Sequence, residues 1–132
     1  MIDMFKDIVD FHEKFEIPKL DKPGFPSNEM MQFRLAFLAE ELEEFSMANK
    51  ANDIEGVFDA LIDLVYVALG TAVIMGLPWN EGWKLVHEAN MKKIKAQSKE
   101  HSKRNNIHDV VKPHGWESPN LSILLENEAD NE

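Results

Sequence analysis

The sequence predicts an all-α fold, a helical bundle of about four to five helices. Apolar residues recur at helical spacing through most of residues 1–98, and no stretch shows the alternation of apolar and polar residues typical of a β-strand. The chain has 132 residues, which suffice for one core and not for two. We therefore expect a helical domain carrying the site over residues 1–98. An irregular tail over residues 99–132 is expected to wrap this domain, with its last residues disordered.

The first two helices are separated by a proline-rich connection. The first helix carries His12 on its apolar side and is expected to end near Pro18, because three prolines and a glycine follow within a short stretch. Ser27 is a natural N-cap for the second helix, which is predicted to run to about Lys50. Its predicted core face consists of Leu35, Leu38, Ala39, Leu42 and Phe45.

The third and fourth helices follow after short polar turns. The third is predicted to open near Glu55 and to end at Gly76, where Gly-Leu-Pro cannot continue a helix. Asn80 can cap the fourth helix, which is expected to reach about Gln97. In the tail, Trp116 and the run 121–125 are the expected anchors.

Composition excludes several classes of partner and place. A formal net charge of −10 argues against nucleic acid and anionic membranes. There is no cysteine and no signal pattern, so a cytoplasmic protein is expected. The uncharged, mostly apolar stretch from Leu64 to Leu77 is shorter than the ~18 to 20 residues of a membrane span and is expected to form a core helix.

Asp63 is the most informative candidate residue. It lies in a stretch that is apolar on every side at helical spacing, which predicts a helix buried all round. A buried carboxylate needs a compensating partner. Glu55 and Asp59 precede it on one stripe, where the three acids would repel one another unless a metal ion shared them. A structural Asp63, paired with a lysine or arginine, is the alternative.

A second group of acids lies on the preceding helix. Glu40, Glu41 and Glu44 fall within about a 100° sector of the helical wheel, away from the predicted core face. A solvated acidic face is the simpler explanation of such a group. Phe37 shares the sector, which favours a pocket or a subunit contact.

The fourth helix contributes an amide and a cation. Asn90 falls in the centre of the face made by Trp83, Val86 and Ile94, and Lys93 follows one turn later. Oxygen ligands without thiols or converging histidines favour Mg²⁺, with Mn²⁺ as a substitute. The set predicts metal-assisted hydrolysis of a phosphoanhydride. The six glycines are scattered, so a P-loop is excluded.

Four motifs in order carry a family resemblance: R-L-A-F-L-A-E-E-L-E-E-F, D-A-L-I-D-L-V-Y-V-A-L-G-T-A, V-H-E-A-N-M-K-K and G-W-E-S-P-N-L. The chain resembles the MazG-like nucleoside triphosphate pyrophosphohydrolases of the all-α superfamily. Within that group it is similar to the short bacterial and phage members related to phosphoribosyl-ATP pyrophosphohydrolase. The resemblance runs from about Phe11 to Leu125.

The resemblance implies roles for individual residues. Glu40, Glu41, Glu44 and Asp63 would be the catalytic Mg²⁺ ligands. Whether Asp59 is a further ligand stays open, because Ala60 replaces the glutamate that many members carry. The matched motifs imply substrate contacts by Tyr66, Asn90 and Lys93. Phe37 and His12 are further expected substrate contacts. A homodimer or homotetramer is implied, with pockets at or near subunit contacts.

The predicted activity is Mg²⁺-dependent conversion of a nucleoside triphosphate to the monophosphate and diphosphate. Deoxynucleotides are the expected substrates, and control of the nucleotide pool is the expected purpose. Phosphoribosyl-ATP hydrolysis and a non-enzymatic helical interaction module are the alternatives. A di-iron bundle is disfavoured, because no histidine has a glutamate three residues before it.

Overall fold

The computed structural model describes residues 1–130, with side chains for residues 1–126. Five helices and one short β-hairpin make up the described chain, which confirms the predicted all-α class. The helices are α1 Met4–Lys14, α2 Asn28–Lys50, α3 Ile54–Ile74, α4 Trp79–Asn90 and α5 Ser122–Asp130. The strands β1 Ile94–Lys95 and β2 Val110–Val111 pair antiparallel, with Ile94 opposite Val111.

Local chemistry explains where the first three helices begin. Asp3 and Asp53 accept the amide hydrogens of the third residue after them, at 3.1 and 3.0 Å, and so cap α1 and α3. Ser27 Oγ accepts the Met30 amide at 3.1 Å, as predicted for α2. The first helix ends at Lys14, earlier than the predicted Pro18, and Glu16 follows with a φ of 54°.

The central unit is the α2–α3 pair, with α1 packed on α3. Early residues of α2 lie beside late residues of α3, because only residues 51–53 connect the two antiparallel helices. The core between α1 and α3 contains Ile8, Leu69 and Val73, all at most 5% exposed. Between α1 and α2, the connection packs on the end of α3, where the Leu20 amide donates to the Ile74 carbonyl at 2.9 Å.

The predicted apolar core face of α2 is wrong for the single chain. Leu35 and Leu42 are 54% and 58% exposed, and Ala39 is exposed as well. The buried residues of α2 are instead Arg34 and Glu41, which face α3. Arg34 is buried because α3 offers it hydrogen-bond acceptors. Glu41 is buried although the neighbouring Asp63 disfavours its charged form.

The prediction that α3 is buried all round is also wrong for the single chain. Residues 67, 69, 70 and 72–74 are buried, but Phe58, Leu61, Ile62 and Val65 are 45% to 65% exposed. By length and composition α3 could cross a membrane, with a mean hydropathy of 2.0. A core helix of a soluble protein passes the same test, and α3 packs against α1 and α2.

The fourth helix and the tail differ from the prediction in detail. Helix α4 ends at Asn90, not near Gln97, because the chain turns at residues 91–92 and enters β1. Its N-cap is Pro78, so Asn80 lies inside the helix and does not cap it. The tail is not wholly irregular, since it contains β2 and α5. The predicted boundary between helical domain and tail, at residue 98, falls between the two strands of the hairpin. The disorder expected for the last residues concerns residues outside the described range.

Candidate metal and substrate site

Three carboxylates converge where α2 and α3 face each other. Glu41, Glu44 and Asp63 each offer one oxygen, and these oxygens lie within 4.8 Å of one another. Glu41 and Glu44 are three residues apart on α2 and therefore lie on one face of that helix. Asp63 reaches the same point from α3. The group therefore joins the acidic motif of α2 to the acid of the most apolar helix.

The electrostatics of this group are unfavourable without a cation. Burial raises the pKa of Glu41 to about 7, with further contributions from a hydrogen bond to Glu44 and from the charges of Glu44, Asp63 and Glu40. Burial also raises the pKa of Asp63, followed by repulsion from Asp59 and Glu44. Each shift reflects a negative charge that lacks water and has acidic neighbours.

A divalent cation fits these residues. Glu41 is 7% exposed, and its Oε2 atom is buried without a hydrogen-bond partner among the described residues. Buried polar atoms normally have partners. Within residues 1–126 no lysine or arginine forms a recorded ion pair with the three acids. Carboxylate oxygens with no sulfur ligand suit a hard ion such as Mg²⁺ or Mn²⁺.

The other predicted acids lie at the edge of this group. Glu40 is exposed and does not belong to the cluster, although its charge contributes to the raised pKa of Glu41. Asp59 is exposed and acts on Asp63 in the same way. Asp63 itself is half-buried, so the expected deep burial was too strong. The acids converge across two helices, not along the stripe from Glu55 to Asp63.

A buried histidine and a buried arginine lie beside α3, nearer the N-terminus of α2 than the acids are. Arg34, seven residues before Glu41, is 5% exposed. Its Nε donates to Thr71 Oγ1 at 3.1 Å and its Nη2 donates to the Val67 carbonyl at 3.0 Å. His12 is 4% exposed, and its Nδ1 has no partner among the described residues. Burial, and then the charge of Arg34, lowers the pKa of His12, so the ring is neutral at pH 7.

Gly70 makes room for this pair. A Cβ atom at position 70 would lie 2.7 Å from Arg34 Nη2 and 2.8 Å from His12 Nε2. Sequence reasoning included His12 and missed Arg34. The available signal was spacing, because residues 34 and 41 are seven apart and so share one face of a helix.

Two predicted aromatic contacts lie near the acids along the chain. Phe37 precedes Glu41 by one turn of α2; its ring stacks with Phe33 at 5.9 Å and lies 5.3 Å from the Arg34 guanidinium carbon. Tyr66 follows Asp63 by about one turn of α3 and meets the Phe11 ring edge to face at 5.2 Å. Both rings are therefore held in defined positions by other aromatic residues.

Among the described residues, neither Asn90 nor Lys93 forms a hydrogen bond or an ion pair with the three acids. Asn90 is exposed, so its predicted place in a buried face is wrong. The predicted face does not form because α4 ends at Asn90 and because Trp83, a member of that face, is 62% exposed. The Lys93 ammonium lies 5.2 Å from the centre of the Trp116 ring. Trp116 Nε1 donates to the Ala89 carbonyl at 2.7 Å, which fixes the tail to the end of α4.

Fold and site together define an all-α protein with a cluster of three carboxylates between two antiparallel helices. The chain matches the family described as phosphoribosyl-ATP pyrophosphohydrolase over residues 8–90, more than half its length, and it belongs to that family. A comparison with curated protein sequences gave no match. The family consists of divalent-metal-dependent pyrophosphohydrolases, and the match supports an activity of that general type on nucleotides.

Proposed function

We propose that this protein is a Mg²⁺-dependent nucleoside triphosphate pyrophosphohydrolase that releases a nucleoside monophosphate and diphosphate. Deoxynucleotides are the proposed substrates, and control of the nucleotide pool in the cytoplasm is the proposed role. The observation that carries the proposal is the convergence of Glu41, Glu44 and Asp63, with the buried Glu41 Oε2 lacking a partner. Membership of a pyrophosphohydrolase family supports the reaction type.

The three acids are proposed to hold the metal, with Glu40 and Asp59 at its edge. A bound Mg²⁺ supplies Lewis-acid chemistry, neutralising phosphate charge and making a nearby water more acidic. The buried Glu41 must lose its proton before it can serve as a ligand, because its pKa is about 7. Glu44 is exposed, so its carboxylate can orient the attacking water and accept its proton. Hydrolysis then breaks the anhydride bond between the α and β phosphates.

The remaining predicted residues are proposed to position the substrate. Phe37 lies one turn from Glu41 and offers a ring face, while Tyr66 offers a ring and a hydroxyl on α3. His12 is neutral and buried beside Arg34, so its proposed contact with an uncharged part of the nucleotide requires a movement that exposes the ring. Asn90 is the last residue of α4, and Lys93 lies just after this helix. They would approach the phosphates through a second subunit or a movement of the segment after α4.

A homodimer or homotetramer is part of the proposal. Exposed apolar side chains lie on the outer faces of α2 and α3, and a cavity of about 480 Å³ opens among Met4, Phe58, Leu61, Ile62 and Val65. Such patches mark contact surfaces. No nucleic acid or membrane partner is proposed, because the net charge is −10. The molar mass in solution, measured by light scattering, tests the assembly, and a monomer at all concentrations would contradict it.

Phosphoribosyl-ATP is the second candidate substrate, and the description of the matched family favours it. Each nucleoside triphosphate and phosphoribosyl-ATP should be incubated with the protein and Mg²⁺, and the products separated. The expected result is equal amounts of monophosphate and diphosphate from at least one nucleoside triphosphate, and no reaction in EDTA. Release of orthophosphate and nucleoside diphosphate as main products would reject the proposal. Preferential cleavage of phosphoribosyl-ATP would select the second candidate.

A further inference from the structure

Positive charge is concentrated in one segment of an otherwise acidic chain. Seven of the 14 lysine and arginine residues fall within residues 92–112, together with only two acids. The formal charge of this segment is therefore +5, whereas the whole chain carries −10. The segment comprises the β-hairpin and its connecting loop, and it begins just after the part that matches the family.

The hairpin places four of these seven positive charges around a cavity of about 290 Å³. Its polar lining consists of Lys93, His101, Lys103, Arg104, Asp109 and Lys112. The ammonium groups of Lys93 and Lys112 lie 5.2 and 5.1 Å from the centre of the same Trp116 ring, so this ring, which is outside the cavity lining, holds two like charges near each other. Within residues 1–126, none of the three lysines of the lining, Lys93, Lys103 and Lys112, forms an ion pair with an acid.

The single acid of the cavity is already neutralised. Asp109 accepts from Arg104 Nη1 at 2.9 and 3.0 Å and from Ser102 Oγ at 2.7 Å. Ser102 is 6% exposed and also accepts the Arg104 amide at 3.1 Å, so the loop is held from within. His101 Nδ1 accepts the Gln97 amide at 3.2 Å. Because Nδ1 accepts this hydrogen bond, Nε2 is the ring nitrogen that can donate one.

We propose that this hairpin cavity is an anion site that binds a di- or triphosphate group. Three unpaired ammonium groups and a histidine donor match the dense charge and many acceptor oxygens of a condensed phosphate. The cavity shares no residue with the cluster of Glu41, Glu44 and Asp63 and needs no metal. Lys93 is its one residue that is also a proposed substrate contact, so binding is tested without metal and with variants that leave Lys93 in place. The phosphate group can belong to a nucleotide or to free diphosphate.

A compact phosphate fits this surface better than a nucleic acid does. The basic charge is confined to one hairpin and one cavity, and the rest of the chain is strongly acidic. A long polyanion would extend beyond the hairpin onto surface that repels it. A group with two or three phosphates needs no contact outside the cavity.

The test is calorimetric titration of the full chain in EDTA with sodium diphosphate, and separately with a nucleoside triphosphate. EDTA removes divalent ions, so binding at the acidic cluster does not contribute. The test variant is Lys103→Gln/Lys112→Gln, and the matched control is Lys95→Gln/Lys99→Gln. The control loses the same two charges from the same segment at exposed positions that do not line the cavity.

We expect the wild type to bind diphosphate, and the test variant to bind it at least about tenfold more weakly, as for the loss of charge-assisted hydrogen bonds. The control should change affinity less than about threefold, and Asp63→Asn should bind normally. Binding of the triphosphate alone would identify the nucleotide as the source. Absence of binding to both anions, or equal losses in the two double variants, would overturn the proposal. So would much tighter binding of a single-stranded oligonucleotide than of diphosphate.

Discussion

Replacing Glu41 by glutamine should stabilise the metal-free protein at neutral and alkaline pH. The pKa of Glu41 is raised from 4.5 to about 7, so the folded state holds a proton that the unfolded state releases at lower pH. The stability associated with that proton is complete below about pH 4.5 and is lost as the pH rises through about 7. Glutamine has the shape of the protonated acid and keeps a donor toward Glu44. The variant therefore avoids this loss.

The size of the effect follows from the two pKa values. A rise from 4.5 to about 7 corresponds to at most about 3.4 kcal/mol of unfolding free energy at pH 8 and about 1.4 kcal/mol at pH 5.5. Part of the shift comes from Glu44, whose charge is exposed and screened by solvent. We therefore expect a gain of about 1 to 2 kcal/mol at pH 8, or roughly 3 to 8 °C in Tm. The gain should be less than about half as large at pH 5.5.

Thermal unfolding followed by circular dichroism in EDTA measures this gain at pH 5.5, 6.5 and 8, at one protein concentration. Glu43→Gln is the matched control, because it removes the same charge from an exposed position of α2 outside the cluster. The difference in Tm between Glu43→Gln and wild type should not grow with pH. A Glu41→Gln protein that is less stable than wild type at pH 8, or whose gain does not grow between pH 5.5 and 8, would refute the reasoning.

Three further predictions address single contacts. Asp63→Asn should lower turnover by at least about a hundredfold without lowering the Tm of the metal-free protein, and a destabilised but active variant would contradict the metal assignment. Gly70→Ala should cost about 1 to 2 kcal/mol in denaturant unfolding, because crowding of Arg34 and His12 outweighs the gain in helix propensity. The control Gly82→Ala, whose Cβ would meet nothing within 4 Å, should be neutral or stabilising. Trp116→Phe removes the hydrogen bond to the Ala89 carbonyl and should lower the free energy of unfolding by about 1 kcal/mol. Protease cleavage within the segment that follows residue 93 should also become faster. An unchanged cleavage rate would show that the bond does not hold the tail.

The sequence predicted the long helices well because their signals are local. Ser27 caps α2 as expected, and the predicted limits of α2 and α3 lie within about two residues of the observed ones. The hairpin was missed because two-residue strands are too short to show alternation, and because Ile94 pairs with Val111, far away in sequence. The same pairing explains why α4 stops at Asn90, since the chain must leave the helix to enter β1.

Prediction of the site succeeded in residue type and failed in orientation. A helical wheel places Glu40, Glu41 and Glu44 in one sector, but only the packing of α2 on α3 decides that Glu41 and Glu44 meet Asp63 while Glu40 stays outside. Arg34 was missed because nothing in the sequence shows that it donates hydrogen bonds to the Val67 carbonyl and the Thr71 hydroxyl.

The orientation of α2 links the proposed metal site to the proposed assembly. Its charged face is turned inward, toward α3, and its apolar residues Leu35 and Leu42 are turned outward. Apolar burial between α2 and α3 is therefore limited, while Glu41, Glu44 and Asp63 repel one another at their contact. Two binding events can compensate the repulsion among the acids and the limited apolar burial. A cation can bind between the acids, and a second subunit can cover the exposed apolar faces. Both act on the same helix pair, so binding of the ion should strengthen the subunit contact, and formation of the contact should raise the affinity for the ion by the same factor.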